Sequence, residues 1–200
     1  MENKKENNIS KKLSYYLRHN LNEITNNVTS DGYVLLSDLL LHKDFVTNNI
    51  SVDEIKFVVA NNDKQRFKLI TDESGNLMIR ANQGHSISKS SKSIDQNIIY
   101  KEINEPLDYC VHGTTKKAIT NILNSGLHKM SRTHIHFAFK PNAISGFRKS
   151  SDVLIYINMT HAMHDGIKFY ISDNEVILCE GPINPIYFSK IEYINKKTIK

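Results

Sequence analysis

Four short segments carry residue types that can do chemistry. The first is Leu17-Arg18-His19. At helical periodicity Lys11, Tyr15 and Arg18 share a face opposite most of the apolar positions, and His19 lies one turn beyond Tyr15. Such a face can receive a phosphate. A solvated helix end, where Arg and His complement the helix dipole, is the simpler reading of the spacing alone. The second is Lys64-Gln65-Arg66-Phe67-Lys68. In an extended strand Lys64, Arg66 and Lys68 project to one side and Phe67 and Leu69 to the other, toward a core. This is either a basic strip for phosphates or an ordinary solvated strand face. The third, Arg132-Thr133-His134-Ile135-His136-Phe137, puts Arg132, His134 and His136 on one face by the same alternation. A His-x-His pair can ligate a metal, with His112, His161 and His164 as further candidates. No Cys cluster and no HExxH pattern accompanies it, so no metal is expected. The fourth is Cys110-Val111-His112-Gly113-Thr114-Thr115 at a strand-to-helix junction. Here Gly113 lets a ligand approach the backbone, and a Thr can cap a helix whose N-terminus favours anions. A routine strand–turn–helix with a structural His fits the same residues. The sequence contains neither a Walker A motif nor GxGxxG.

These segments need elements to hold them. Ile9, Leu13, Tyr16 and Leu17 fall at helical spacing, with Ser10 near the start. Asp31-Gly32 marks a turn before the apolar 33–36, and Ser37 is placed to cap a short helix through His42. Ser51 and Glu54 have capping-box spacing and open a helix to about Ala60. Apolar runs at 66–70 and 77–81 flank Asp72-Glu73-Ser74-Gly75-Asn76, a hairpin signal. The Ser- and Lys-rich stretch that follows is expected to be an exposed linker. Beyond it, a strand at 107–111 precedes a helix from about Thr115 to Asn124, stopped by Gly126. Strands are expected at 134–139, 153–158, 168–172 and 175–179, with a short helix holding His161 and His164. The class is α+β with a mainly antiparallel sheet. Three parts are expected: 1–84, a linker over 85–99, and 100–200.

The chain of 200 residues carries a formal net charge of +5. Eleven basic residues balance eleven acidic ones through Gly84, so the whole excess lies in the remainder. Net charge is therefore only weak support for a nucleic-acid partner, and local clusters must carry that case. No stretch is long and apolar enough to span a bilayer and no signal-like segment opens the chain, so a cytoplasmic protein is expected. Cys110 and Cys179 sit in apolar runs and read as buried thiols rather than a disulfide.

Taken together and in order, the segments resemble the RNA 2′-phosphotransferase family. The resemblance runs from about Ser10 to Ile194 through LSYYLRHN, SDGYVLLSDLL, DKQRFKL, IRANQGHSI, VHGTTKKAITNILNSGL, MSRTHIHFA and KFYISDNEVILCEGPINPIYF. Each is weak alone, and seven in register are specific. Two departures are mild: Tyr33 stands where Trp is common, and Asn20-Leu21 replaces the usual Pro neighbourhood.

The resemblance implies a winged-helix RNA-binding lobe joined to an NAD-binding lobe of ADP-ribosyltransferase-like fold. It implies a catalytic set of Arg18, His19, Arg66 and Arg132, with Arg148 competing for the last place. It assigns NAD contacts to His112, Gly113, Thr114, Ser131 and His134, and substrate contacts to Lys64, Lys68 and Arg148. NAD would be consumed as co-substrate. The RNA 2′-phosphate would attack the nicotinamide ribose, and the ADP-ribosylated RNA would then release ADP-ribose 1″,2″-cyclic phosphate and RNA with a 2′-OH. The partner would be RNA with an internal 2′-phosphate, such as a tRNA splice junction, met by a monomer. Two other readings stand beside this one: a different NAD-dependent ADP-ribosyltransferase acting on protein or nucleic-acid ends, and a non-enzymatic winged-helix nucleic-acid binder.

Overall fold

The first helix, α1 (Lys4–His19), forms because Ile9, Leu13, Tyr16 and Leu17 make a continuous apolar stripe, and all four are buried. The computed structural model describes residues 4–86, 94–141 and 150–194. The chain divides into two compact units, Met1–Ile99 and Tyr100–Lys200.

In the first unit α1 is followed by a 3-10 turn at Leu21–Glu23, β1 (Val34–Leu35), α2 (Leu36–Leu41), α3 (Lys43–Val46) and α4 (Val52–Ala60). Then come β2 (Phe67–Thr71), β3 (Leu77–Ala81) and α5 (Gln96–Ile99). The capping box is present: Ser51 Oγ accepts from Glu54 N, and the Glu54 carboxylate accepts from Ser51 N. The hairpin holds through Asp72, whose carboxylate accepts from the backbone N–H of Ser74 and Asn76. Those bonds favour the carboxylate and lower its pKa. The three strands are antiparallel in the order β1-β3-β2, with Val34 opposite Ile79 and Phe67 opposite Ala81. Leu13, Leu17, Phe45, Ile55 and Ile79 fill the core beneath them.

Three expectations change. Ser37 does not cap α2: the helix starts at Leu36, directly off β1, and Leu35 stands at its N-cap without a side-chain bond. Burial of Leu36 and Leu39 and pairing of β1 with β3 set that corner instead. Lys64 and Arg66 precede β2, so the alternation expected over 64–68 covers only its last part. The proposed linker is packed at several of its described residues, while Asp95 and Ile98 are exposed. His85 is fully buried, Ser86 N donates to the Arg18 carbonyl, and Ile94 and Ile99 press against Gly32.

The second unit holds β4 (Lys101–Glu102), β5 (Val111–Thr114), α6 (Lys116–Ser125), β6 (Ile135–Ala138) and β7 (Val153–Ile157). It continues with α7 (Met159–His164), β8 (Tyr170–Ile171), β9 (Val176–Cys179) and β10 (Phe188–Tyr193). These strands form one antiparallel sheet in the order β10-β7-β5-β6-β9-β8-β4. The neighbouring inner strands β5 and β6, with Val111 opposite Ala138, bring His112 within reach of the His136 carbonyl. The core beneath is Ile119, Ile135, Phe137, Ile155, Phe169 and Ile177. Cys110 and Cys179 are free thiols within it. Gly126 ends α6 with φ +84°, and Leu127 then pairs with Ile183. Arg148 lies outside the described residues.

Gly126 combines two demands, a left-handed φ and a β-carbon that would stand 2.5 Å from the Ile183 carbonyl oxygen. Gly75, in the β2–β3 hairpin, has the same φ of +84° in open space. Gly75→Ala is expected to cost about 1 kcal/mol from backbone strain alone. Gly126→Ala adds the clash, for a total of roughly 3 kcal/mol or more. Urea denaturation of both variants checks the difference, and equal losses would contradict it.

Candidate functional site

In the first unit, the chain leaving β3 passes three of the residues singled out from the sequence. Asn82 N donates to the Arg66 carbonyl at 2.9 Å. Two residues on, Gly84 lies against the Arg18 guanidinium; a β-carbon there would stand 3.5 Å from Cζ. Two further on, Ser86 Oγ shares a hydrogen bond with His19 Nδ1 at 2.5 Å, while its N–H takes the Arg18 carbonyl. Residues 82–86 thus form a rail along which Arg66, Arg18 and His19 are set in order. All three are half-buried.

Arg66 is held from the other side by Asn62, whose Oδ1 accepts from the Arg66 guanidinium at 3.1 Å and from its backbone N–H at 3.3 Å. Asn62 is itself buried and donates toward Ser10 Oγ of α1. The turn that makes this possible places Gln65 at φ +41°. Of the expected basic strip, Lys68 is exposed on β2 and Lys64 half-buried on the turn before it.

In the second unit, one cleft of about 620 Å³ is lined by His112, Gly113, Thr114, Ser131, Arg132 and His134. These are all the described second-unit residues to which the resemblance gave a role. His136, Lys129 and Ser151 join them. Two cations and no carboxylate stand among the described lining residues, so the cleft favours an anionic ligand.

Its imidazoles are set by their neighbours. His112 Nδ1 donates to the His136 carbonyl at 3.0 Å, which leaves Nε2 as the acceptor when the ring is neutral. Burial lowers the pKa of His112, and the Arg132 charge lowers it further. The Arg132 guanidinium lies 3.4 Å from His136 Nδ1. Arg132 comes not from β6 but from a turn closed by its N–H on the Lys129 carbonyl, with Met130 at φ +56°. The expected shared face of Arg132 and His136 is thus made by the turn folding back rather than by strand alternation. His134 is buried between Tyr100 and Tyr170, with ring centroids at 5.2 and 6.0 Å.

The N-terminus of α6 differs from expectation. Thr115 makes no side-chain cap bond there. Asp152, beside β7, accepts from Lys116 N at 2.7 Å and so caps the helix. A carboxylate already occupies the positive end of the dipole. Asp152, Asn62, Gly84 and Ser86 were missed as site residues. Only the Gly-His-Ser run had a signal, inside IRANQGHSI.

Among the described residues, no group of three or more His, Cys, Asp or Glu side chains can hold a metal ion, and no helix is long and apolar enough to cross a membrane. The family model described as RNA 2′-phosphotransferase, Tpt1/KptA family, matches residues 4–181. The chain belongs to this family. It is 42% identical to tRNA 2′-phosphotransferase 1 of Danio rerio, over 92% of this chain and 84% of that protein. It is 34% identical to the tRNA 2′-phosphotransferase of Saccharomyces cerevisiae, over 100% of this chain and 86% of the relative. A probable RNA 2′-phosphotransferase of Flavobacterium johnsoniae is 35% identical over 86% of this chain and 90% of its own length.

The buried His134 generates a pH prediction. Burial pushes its pKa down to about 4, against opposition from the Glu180 charge. The unfolded ring titrates near 6.5, so between these values the unfolded chain binds the extra proton. Stability from this group is therefore full above pH 6.5 and falls as pH drops toward 4, by about 3 kcal/mol in total. His134→Phe keeps the ring and removes the titration. Urea denaturation from pH 7 to 4 should show a shallower loss in the variant; parallel curves would contradict the assignment.

Proposed function

We propose that the chain removes an internal 2′-phosphate from RNA and transfers it to NAD, with a tRNA splice junction as the natural class of substrate. The observation that carries this reading is the sorting of the nominated residues. Arg18, His19 and Arg66 lie along one rail, and His112 through Arg132 line one cation-rich cleft. Names of the relatives supply the substrate class. On this reading the first unit is a winged-helix RNA-binding module, and the second an ADP-ribosyltransferase-like module that binds NAD.

The cleft suits that ligand. Its volume falls in the usual range for small-molecule sites. Lys129 can face a pyrophosphate, and His112 offers Nε2 as an acceptor beside the open backbone of Gly113. NAD supplies an electrophilic ribose carbon, with nicotinamide leaving as the 2′-phosphate oxygen bonds to that carbon. The adjacent ribose hydroxyl then attacks phosphorus, giving ADP-ribose 1″,2″-cyclic phosphate, while the RNA oxygen leaves and regains a proton.

A phosphate dianion is already a nucleophile, so the chain's task is to bring it in and hold it. Guanidiniums at Arg18, Arg66 and Arg132 do this by forked, charge-assisted hydrogen bonds. They also stabilise the charge that builds on phosphorus in the second step. His19, fixed through Nδ1 by Ser86, presents Nε2 as the group that can move a proton to the departing RNA oxygen. Lys64 and Lys68 add contacts to the RNA backbone.

Incubating the protein with a 2′-phosphorylated oligoribonucleotide, with and without NAD, tests the proposal. Loss of the 2′-phosphate should require NAD, persist in EDTA and yield the cyclic phosphate. Release of inorganic phosphate would overturn it, and accumulation of ADP-ribosylated RNA would point to a transferase that stops after one step. Arg66→Ala should lower turnover by roughly a hundredfold or more while the far-UV spectrum stays unchanged, since the side chain contributes a charged contact and little core. His112→Ala should raise the KM for NAD with a smaller effect on RNA binding, as separate titrations would read.

A further inference from the structure

Residue 136 serves both sides of the second-unit cleft, and it does so with two different parts of itself. Its carbonyl accepts from His112 Nδ1. Its side-chain Nδ1 faces the Arg132 guanidinium at 3.4 Å. A guanidinium has only N–H donors and keeps its proton at any working pH. The imidazole nitrogen facing it must therefore supply a lone pair. That fixes His136 as the neutral ring protonated on Nε2, the opposite tautomer from His112, which is protonated on Nδ1. The His136 ring is buried on β6, in the sheet interior, while Arg132 sits on a turn outside the strand. The guanidinium is thus tied to a rigid strand by a neutral acceptor that adds no competing charge. A carboxylate in the same place would hold Arg132 more tightly but would cancel the charge that an incoming phosphate needs.

We propose that His136 is a positioning residue: its neutral Nδ1 holds the Arg132 guanidinium in line with the cleft, so that Arg132 meets the phosphate already oriented. This rests on the reading of Arg132 as a phosphate-binding group of the reaction. The role assigned to His136 is to orient Arg132, through the contact between its Nδ1 and the guanidinium. The bond to His112 is made by the main chain of residue 136 and survives any substitution of its side chain.

That separation makes the test selective. His136→Leu removes the acceptor and keeps an apolar filling; His136→Asn keeps an acceptor oxygen near the place of Nδ1. His136→Leu should lower kcat by about tenfold to a hundredfold, while the KM for NAD, set by His112, changes less than about threefold. His136→Asn should recover about tenfold of that loss, although it packs worse than Leu in a buried site. A residue needed only for packing gives the reverse order, and that result would overturn the proposal. Nitrogen-15 NMR of the wild-type protein supplies a readout that needs no turnover. At neutral pH His136 should show the Nε2–H tautomer and His112 the Nδ1–H tautomer. A His136 ring protonated on Nδ1, or on both nitrogens, would overturn the proposal whether or not the RNA reaction is observed. A wild-type enzyme inactive on 2′-phosphorylated RNA, with the His136 tautomer as expected, would instead sink the functional reading and leave the hold on Arg132 standing.

Discussion

A guanidinium cannot shed its proton, and this constraint orders everything packed around Arg18, Arg66 and Arg132. Each neighbour must accept a hydrogen bond, present bare backbone, or stay uncharged. Arg66 meets an amide oxygen, Arg18 lies along a glycine, and Arg132 meets a ring nitrogen with a lone pair. The nearby His112 and His134 are held toward neutrality by burial. At each of these contacts the partner is uncharged, so the contact itself adds no opposing charge.

The scaffold meets that constraint in two ways. In the first unit a helix end and a strand exit share the work: α1 supplies Arg18 and His19, and residues 82–86 return past them. In the second, the middle of a sheet does it. β5 and β6 are neighbours, so His112 and the carbonyl of residue 136 fall in reach without any special loop. β7 flanks β5, and the Asp152 that precedes it closes the α6 terminus. The antiparallel register, rather than any local motif, decides which side chains meet.

Much of this was legible in the chain, and the reasons are local. The stripe of Ile9, Leu13, Tyr16 and Leu17, the Ser51/Glu54 pair and the Asp72–Asn76 turn are patterns whose physics is complete within a few residues, and each folds as its pattern dictates. Gly126 likewise ends its helix where expected. What the sequence could not display is contact between distant segments. Asn62 beneath Arg66 and Asp152 at α6 are ordinary polar residues until the fold brings them to their partners. Ser37 had the right chemistry for a cap and lost to a strand that runs straight into the helix. The Ser- and Lys-rich run after β3 looked like linker because composition averages over residues; His85, Ser86, Ile94 and Ile99 are the anchored ones within and beside it.

The clasp of Ser86 on Arg18 and His19 has a consequence for how the protein acquires its activity. Sixty-seven residues separate Ser86 from His19. A helix end of this kind forms and frays on a microsecond scale by itself, and its last carbonyls turn to water. Here the Arg18 carbonyl is taken by a segment that follows α4 and the β2–β3 hairpin in the chain. Loop closure of that length is entropically expensive and late. The setting of the Arg-His pair therefore depends on a contact of long sequence separation, although the helix that carries the pair is local. Loosening the segment after β3 would thus leave α1 intact and release the clasp on its Arg-His end.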